Sequence, residues 1–114
     1  MITLYGIANC DTMKKTRAWL DARGVEYRFH DYKNQGLGED LLRAWVAELG
    51  WEALVNRRGT TWRKLPEATR EAMDAETAVR VMLDNPSIIR RPLLGASDAR
   101  HLGFAEAQYQ EIFG

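Results

Sequence analysis

The sequence predicts an α/β domain built on one mixed β-sheet, and three patterns indicate this class. A strand-like segment, a helix-like segment and a second strand-like segment open the chain, which is typical of parallel strands joined by a crossover helix. Helical periodicity then continues through the middle of the chain, and the last part returns to two strand-like segments and a helix. The resulting order, β-α-β, a helical insertion and then β-β-α, is that of the thioredoxin fold.

The opening elements have clear boundaries. Residues 2–6 are rich in β-branched and aromatic side chains and end at a glycine, which predicts the first strand. Apolar residues recur at helical spacing over Asp11–Arg23, and Gly24 is a typical residue to end that helix. Over Val25–Tyr32 apolar and polar residues alternate, which predicts the second strand.

The middle of the chain predicts the helical insertion, over about residues 36–86. Asn34–Gly38 is rich in turn-forming residues and predicts a loop, and the polar, basic segment Asn56–Arg63 predicts another. Apolar spacing predicts helices over residues 39–49, 51–55, 66–73 and 76–84, and Asn85-Pro86 ends the last of them. The whole chain, residues 1–114, is expected to form a single domain.

The end of the chain predicts a hairpin and a helix. Ile88–Gly95 is rich in β-formers, Ser97–Arg100 is typical of a turn, and His101–Phe104 can return as a paired strand. Ala105–Phe113 has the spacing of an amphipathic helix.

Composition excludes several classes of function. Lys+Arg and Asp+Glu both number 16 among the 114 residues, and this balance argues against a nucleic-acid partner. No segment resembles a signal peptide or approaches the roughly 20 apolar residues of a membrane span, so no membrane association is expected. The one cysteine and two histidines lack zinc-site spacing, so no metal is expected. A lone cysteine forms no internal disulfide, which predicts a reducing, cytoplasmic location.

Cys10 is the first candidate for chemistry, because it lies between the first predicted strand and the first predicted helix. Unpaired N–H groups and the dipole at a helix N-terminus stabilise a thiolate. Lys14 adds positive potential, Asn9 or Thr12 can cap the same turn, and Asp11 opposes ionisation. Two interpretations remain open: an activated nucleophile, or a buried and inert cysteine.

Arg91-Pro92 is the second candidate, because a proline that opens a strand cannot donate to the sheet and belongs at a strand start or edge. Arg91 is then either a solvated residue or one that presents its guanidinium to a thiolate or an anionic substrate. The basic residues Arg57 and Arg58 leave a similar choice between a solvated cluster and recognition of a carboxylate.

Three segments together resemble the ArsC/Spx family and, within it, the small bacterial YffB proteins: Tyr5–Lys15, Arg58–Leu65 and Asn85–Leu94. The resemblance covers essentially the whole chain. It implies a thioredoxin-like, ArsC-like fold with a helical insertion, Cys10 as the nucleophile, and Arg91 before a cis-Pro92.

The sequence also departs from its relatives. Glutathione-coupled arsenate reductases of this family carry a histidine where Gly6 stands, and their first and third oxyanion arginines fall on Asn56 and near Leu102–Phe104, where this chain has none. A tetrahedral oxyanion needs several such donors, which argues against arsenate reduction. Spx-like regulators usually carry Cys-x-x-Cys, and Met13 in the second position excludes an intramolecular dithiol switch.

The resemblance therefore implies an enzyme, a glutathione-dependent monothiol thiol–disulfide reductase. Cys10 would form a mixed disulfide with a small-molecule or protein disulfide or oxidised thiol, assisted by Arg91, and glutathione as co-substrate would release it. No metal or tightly bound cofactor is implied. The residues expected to bind substrate or glutathione are Asn9, Thr12, Lys14, Arg57, Arg58 and Pro92. The alternatives are a non-enzymatic module that docks on RNA polymerase, as Spx relatives do, and an arsenate reductase.

Overall fold

The structure, a computed structural model, describes residues 2–96 and 99–114. The chain divides into two compact units, one of Met1–His30 with Arg91–Gly114 and the other of Asp31–Arg90. The predicted insertion, residues 36–86, falls within the second unit. The single-domain boundary of residues 1–114 stays a prediction.

The sheet has four strands in the order β2-β1-β3-β4, which are β1 (Thr3–Gly6), β2 (Arg28–Asp31), β3 (Leu93–Ala96) and β4 (Ala99–Leu102). Strand β3 pairs antiparallel with both β1 and β4, and Leu4 of β1 lies opposite Leu94. The sheet is mixed, so the predicted α/β class is confirmed.

The α-helices are α1 (Asp11–Ala22), α2 (Tyr32–Gln35), α3 (Glu39–Leu49), α4 (Trp51–Leu54), α5 (Thr60–Arg63), α6 (Glu67–Glu71), α7 (Ala75–Asp84) and α8 (Glu106–Phe113). A 3-10 helix covers Pro86–Ile88. The predicted helix over residues 39–49 is confirmed to the residue, because its apolar face is continuous and Gly50, with a φ of 85°, ends it in a conformation that favours glycine.

Aromatic side chains fill the core of the first unit. Trp19 packs edge to face against Tyr109, with 5.7 Å between ring centroids, and Tyr109 packs in the same way against Phe104 at 4.9 Å. The buried residues of this cluster are Leu4, Met13, Trp19, Leu20, Leu94 and Tyr109, and Cys10 packs against it. Trp19 is therefore a core residue of this unit.

Helices α3 and α7 form the core of the second unit. Trp45 and Leu42 from α3 are buried, as are Ala78, Val79 and Met82 from α7. At the surface the Arg43 guanidinium contacts the Glu39 carboxylate at 2.9 Å and the Glu76 carboxylate at 2.8 Å. The contact with Glu76 joins α3 to α7 in the same unit, whereas the contact with Glu39 lies within α3.

The second predicted strand and the loop after it need correction. Strand β2 begins only at Arg28 and ends at Asp31, and Tyr32 starts α2. The physical reason is the Asp31 carboxylate, which accepts hydrogen bonds from the N–H groups of Lys33 at 2.8 Å and Asn34 at 3.2 Å and so caps a short helix. Asn34 therefore lies in a helix and not in the predicted loop.

The predicted basic loop over residues 56–63 is also partly wrong, because its last four residues form α5. The Asn56 Oδ1 accepts the Arg58 N–H at 3.0 Å and closes a tight turn ahead of this helix. The hydroxyls of Thr61 and Ser87 lie 3.1 Å apart and anchor the helix within its unit. The irregular basic segment is thereby reduced to residues 56–59.

The hairpin near the end of the chain is shifted from its predicted bounds. Ile88 belongs to the 3-10 helix, and Ile89 makes only an isolated antiparallel bridge to Val55. The return strand starts at Ala99, two residues before its predicted start, so Ala99 and Arg100 are strand and not turn. The other two predicted turn residues, 97 and 98, lie outside the described residues.

Candidate active site

Cys10 lies between the end of β1 and the start of α1. Its backbone is extended (φ −149°, ψ 130°), and it is itself the N-cap residue of α1, so neither Asn9 nor Thr12 takes that place. The Cys10 carbonyl accepts the Lys14 N–H at 3.0 Å and begins the helix. The side chain is half-buried, with one side against the core of the first unit. The Cys10 side chain therefore packs against the core and is still partly exposed.

The surroundings of Cys10 lower the pKa of its thiol below the ordinary value. Burial acts in the opposite direction and raises the pKa, but it is outweighed by the N–H of Met13, the side chain of Arg91 and the N–H of Thr12. The positive charge of Arg91 adds to the same effect. The hydrogen bonds and the positive charge all favour the thiolate, which is the nucleophilic form of cysteine.

Arg91 lies two residues before β3, and its side chain hydrogen-bonds to the Cys10 thiol. The Arg91–Pro92 peptide bond is cis, as the family resemblance implies. Pro92 is buried, and its carbonyl accepts the Gly103 N–H at 2.9 Å, which ties this segment to the end of β4. The sheet thus brings together two residues that are far apart in the sequence.

Gly6 and Met13 meet in the core of the first unit, against which Cys10 packs. A Cβ on Gly6 would clash with the Met13 Sδ and lie 2.6 Å from its Cε. Met13 is completely buried, so its side chain has little room to move away. This packing accounts for one departure from the family pattern, the glycine at position 6, because Met13 occupies the room that a side chain there would need.

The Gly6→Ala variant is therefore expected to lower the free energy of unfolding by about 1–3 kcal/mol, the usual cost of overpacking a core. Urea denaturation measures this change. Gly95→Ala is the matched control, because Gly95 is also a strand glycine and a Cβ there meets its nearest atoms at 3.6 Å, an ordinary contact. Equal losses of stability in the two variants would contradict the proposed contact with Met13.

The other predicted site residues divide between the two units. Asn9, Thr12 and Lys14 are exposed and lie within four positions of Cys10. Arg57 and Arg58 are exposed residues of the second unit, where the Arg57 guanidinium lies 5.7 Å from the centre of the Trp51 ring. Their roles as binding residues stay predictions.

Sequence reasoning missed the contribution of the Met13 main chain. The hydrogen bond from the Met13 N–H is the largest single effect that lowers the Cys10 pKa. The available signal was the start of α1, because the third residue after an N-cap position carries an N–H without a partner inside the helix.

The described residues, 2–96 and 99–114, contain no group of three or more His, Cys, Asp or Glu side chains placed to hold a metal ion. Within the same residues, none of the helices has the length and apolar content that crossing a membrane requires.

Solved structures resemble the chain along its whole length. A YffB protein is 46% identical, with a TM-score of 0.96 and complete coverage of both chains. An arsenate reductase (ArsC) related protein from Brucella melitensis is 48% identical, with a TM-score of 0.81 over 98% of this chain and 93% of that one. These matches confirm the ArsC-like, thioredoxin-like fold.

Sequence comparison gives the same result. A protein from Haemophilus influenzae is 42% identical over 113 residues, which cover 99% of both chains. A global transcriptional regulator Spx from Streptococcus agalactiae is 30% identical over 108 residues, which cover 93% of this chain and 78% of that one. The ArsC family profile matches residues 5–112. From this match, which leaves only a few residues at either end, it follows that the chain belongs to the ArsC family.

Proposed function

We propose that this chain is a monothiol thiol–disulfide oxidoreductase that uses glutathione as its co-substrate. The observation that carries the proposal is the lowered pKa of Cys10, at the start of a helix and beside Arg91. The Cys10 thiolate attacks one sulfur of a disulfide and forms a new S–S bond as the old one breaks. The second sulfur leaves as a thiolate and takes a proton from solvent, so one disulfide replaces another.

The mixed disulfide on Cys10 then needs a second thiol from outside the chain. Cys10 is the only cysteine, and the thioether of Met13, one helical turn on, cannot attack a disulfide. A glutathione thiolate attacks the sulfur bound to Cys10, forms a disulfide with it and releases the Cys10 thiolate. Glutathione suits this step because it is the abundant thiol of the reducing cytoplasm.

Arg91 assists both steps in this proposal. Its guanidinium stabilises the Cys10 thiolate as the attacking group and again as the leaving group. Asn9, Thr12 and Lys14 bind the substrate or glutathione next to the sulfur, together with Pro92, and Arg57 and Arg58 bind carboxylates.

Oxidised glutathione is expected to add one glutathione to each chain, and reduced glutathione to remove it. Intact mass spectrometry before and after each incubation measures both steps. Cys10→Ser is the control and should take no adduct. A wild-type protein that melts cooperatively but never takes the adduct would show that glutathione is the wrong partner.

A second candidate is a docking module without enzymatic activity, which the 30% identity to a global transcriptional regulator Spx favours. Such a protein would bind RNA polymerase subunits, and it would do so equally well with Cys10→Ala. Capture of polymerase subunits that is unaffected by Cys10→Ala, together with no turnover of disulfides, would favour this candidate over the oxidoreductase.

Arsenate reduction is the weaker enzymatic alternative, and it is suggested by the relative from Brucella melitensis. Asn56 stands where a first oxyanion arginine is expected, and its Oδ1 is already hydrogen-bonded to the Arg58 N–H. An assay of arsenite formation with reduced glutathione distinguishes this alternative from disulfide exchange.

A further inference from the structure

A groove of about 770 Å³ runs along α1 in the first unit. Thr12 lies at the end nearest Cys10, and its N–H is one of the groups that lower the Cys10 pKa. Arg23 lies at the other end, directly after α1. The groove therefore starts at Thr12, a residue that contacts the nucleophile through its main chain, and extends along α1 away from it.

The length of the groove decides what kind of molecule can fill it. Thr12 and Arg23 are eleven positions apart on a helix, which corresponds to about 16 Å at 1.5 Å per residue. An extended polypeptide covers that length with about five residues at 3.3 Å each. Glutathione bonded to Cys10 extends by one residue in either direction from its sulfur and ends well short of Arg23. A longer chain is needed to occupy the whole groove.

The floor of the groove is apolar and open. Ala18 and Ala22 are exposed and lie one turn apart on α1, and their small side chains leave room above them. Trp19 and Phe104 pack against each other beside them, with 6.3 Å between ring centroids. Such a surface fits an apolar side chain of a bound polypeptide.

The charges along the groove favour an acidic occupant. Lys15 and Arg23 contribute two positive charges and Glu106 one negative charge. Arg23 is held in place, because its guanidinium lies 3.9 Å from the centre of the Trp19 ring. Among the described residues neither Lys15 nor Arg23 forms an ion pair, so both charges remain available to a ligand.

We propose that this groove binds the extended segment of a substrate protein that flanks its reactive disulfide, with an apolar side chain on the alanines and an acidic side chain at Arg23. The inference rests on the proposed function and narrows its substrate class to protein disulfides. The exchange itself is unchanged, since Cys10 forms one S–S bond as another breaks. Residues beyond the disulfide determine which proteins react.

Eight-residue peptides test the proposal, each with a cysteine disulfide-bonded to thionitrobenzoate. Attack by Cys10 on the peptide sulfur releases the coloured thionitrobenzoate anion, which gives the rate constant. The peptides are made in pairs that differ only at the fifth position from the cysteine, which is glutamate in one peptide and lysine in the other. In one pair this residue lies on the N-terminal side of the cysteine, and in a second pair it lies on the C-terminal side. The glutamate peptide is expected to react about fivefold faster, as for an exposed ion pair, and added salt should reduce the difference.

Two variants locate the effect in the groove. Arg23→Gln should abolish the preference for glutamate, whereas Arg28→Gln, which removes an exposed arginine of β2, should keep it. Ala22→Arg fills the groove and should slow both peptides relative to the mixed disulfide of free cysteine and thionitrobenzoate. Ala44→Arg, at an exposed position of α3, is the matched control.

The outcomes separate the two proposals. If the wild-type protein reacts with the cysteine derivative but does not distinguish the peptides, and neither groove variant changes the ratios, the groove inference is wrong and the proposed function stands. If the folded protein reacts with none of these disulfides, the proposed function itself is wrong.

Discussion

The Met13→Cys variant is expected to lose glutathione from Cys10 without any added thiol, at least about a hundredfold faster than the wild-type protein. Residues three apart at the start of a helix lie on the same face, so the new thiolate is placed to attack the Cys10 sulfur. Glutathione leaves as a thiolate and an intramolecular disulfide remains. Intact mass followed over time measures the loss of the adduct.

The control for this variant is Met73→Cys, which introduces a thiol by the same substitution outside α1 and should keep its adduct as long as the wild-type protein does. Because Met13 is completely buried, Met13→Cys also leaves a cavity, and a loss of about 2 kcal/mol of stability is expected. A melting curve confirms that the variant is folded. If the folded Met13→Cys protein keeps its adduct, the missing thiol at position 13 is not the reason why the wild-type protein needs an external thiol.

The Arg91→Ala variant is expected to slow the reaction of Cys10 with iodoacetamide at neutral pH. Removing the guanidinium removes both a hydrogen bond and a positive charge that lower the pKa of the Cys10 thiol, so the pKa rises and less thiolate is present. The midpoint of the alkylation rate against pH should lie below the ordinary cysteine value in the wild-type protein and move upward in the variant. Far above both midpoints the variant should react at least as fast as the wild-type protein, because a thiolate of higher pKa is the stronger nucleophile.

Arg90→Ala is the matched control, because Arg90 is the neighbouring arginine and is exposed. Arg91→Lys keeps the charge but loses the planar fork of donors, and its midpoint should lie between those of the wild-type protein and Arg91→Ala. A large loss of melting temperature alongside the slower alkylation would show instead that Arg91 is a packing residue.

Much of the fold was predictable because local signals and packing agree. Helix α3 has a continuous apolar face, and Gly50, which follows it, is a typical residue to end a helix. Both limits of α3 therefore follow from the sequence. Strand β2 shows the opposite case. The apolar–polar alternation predicts a strand through Tyr32, but the Asp31 side chain satisfies two main-chain N–H groups and turns the chain into α2. Alternation cannot reveal that competition between a side chain and the sheet.

The candidate site was predictable to a similar degree. The position of Cys10 follows from its place between a strand and a helix, and the cis peptide bond before Pro92 follows from the family resemblance. The contact between Gly6 and Met13 does not, because it depends on the conformation of one methionine in a packed core. The groove along α1 also needs the third dimension, since Phe104 and Glu106 join it from a distant part of the sequence.

Stabilisation of the Cys10 thiolate has a consequence for the balance between the reduced and the modified protein. A thiol whose pKa is lower in the folded than in the unfolded chain adds stability that is fully present above the unfolded pKa and is lost as the pH falls through the folded pKa. A cysteine held in a mixed disulfide has no charge to stabilise and lacks this contribution. The main-chain dipoles and Arg91 therefore favour the reduced state, which makes the modified protein a stronger oxidant towards the next thiol.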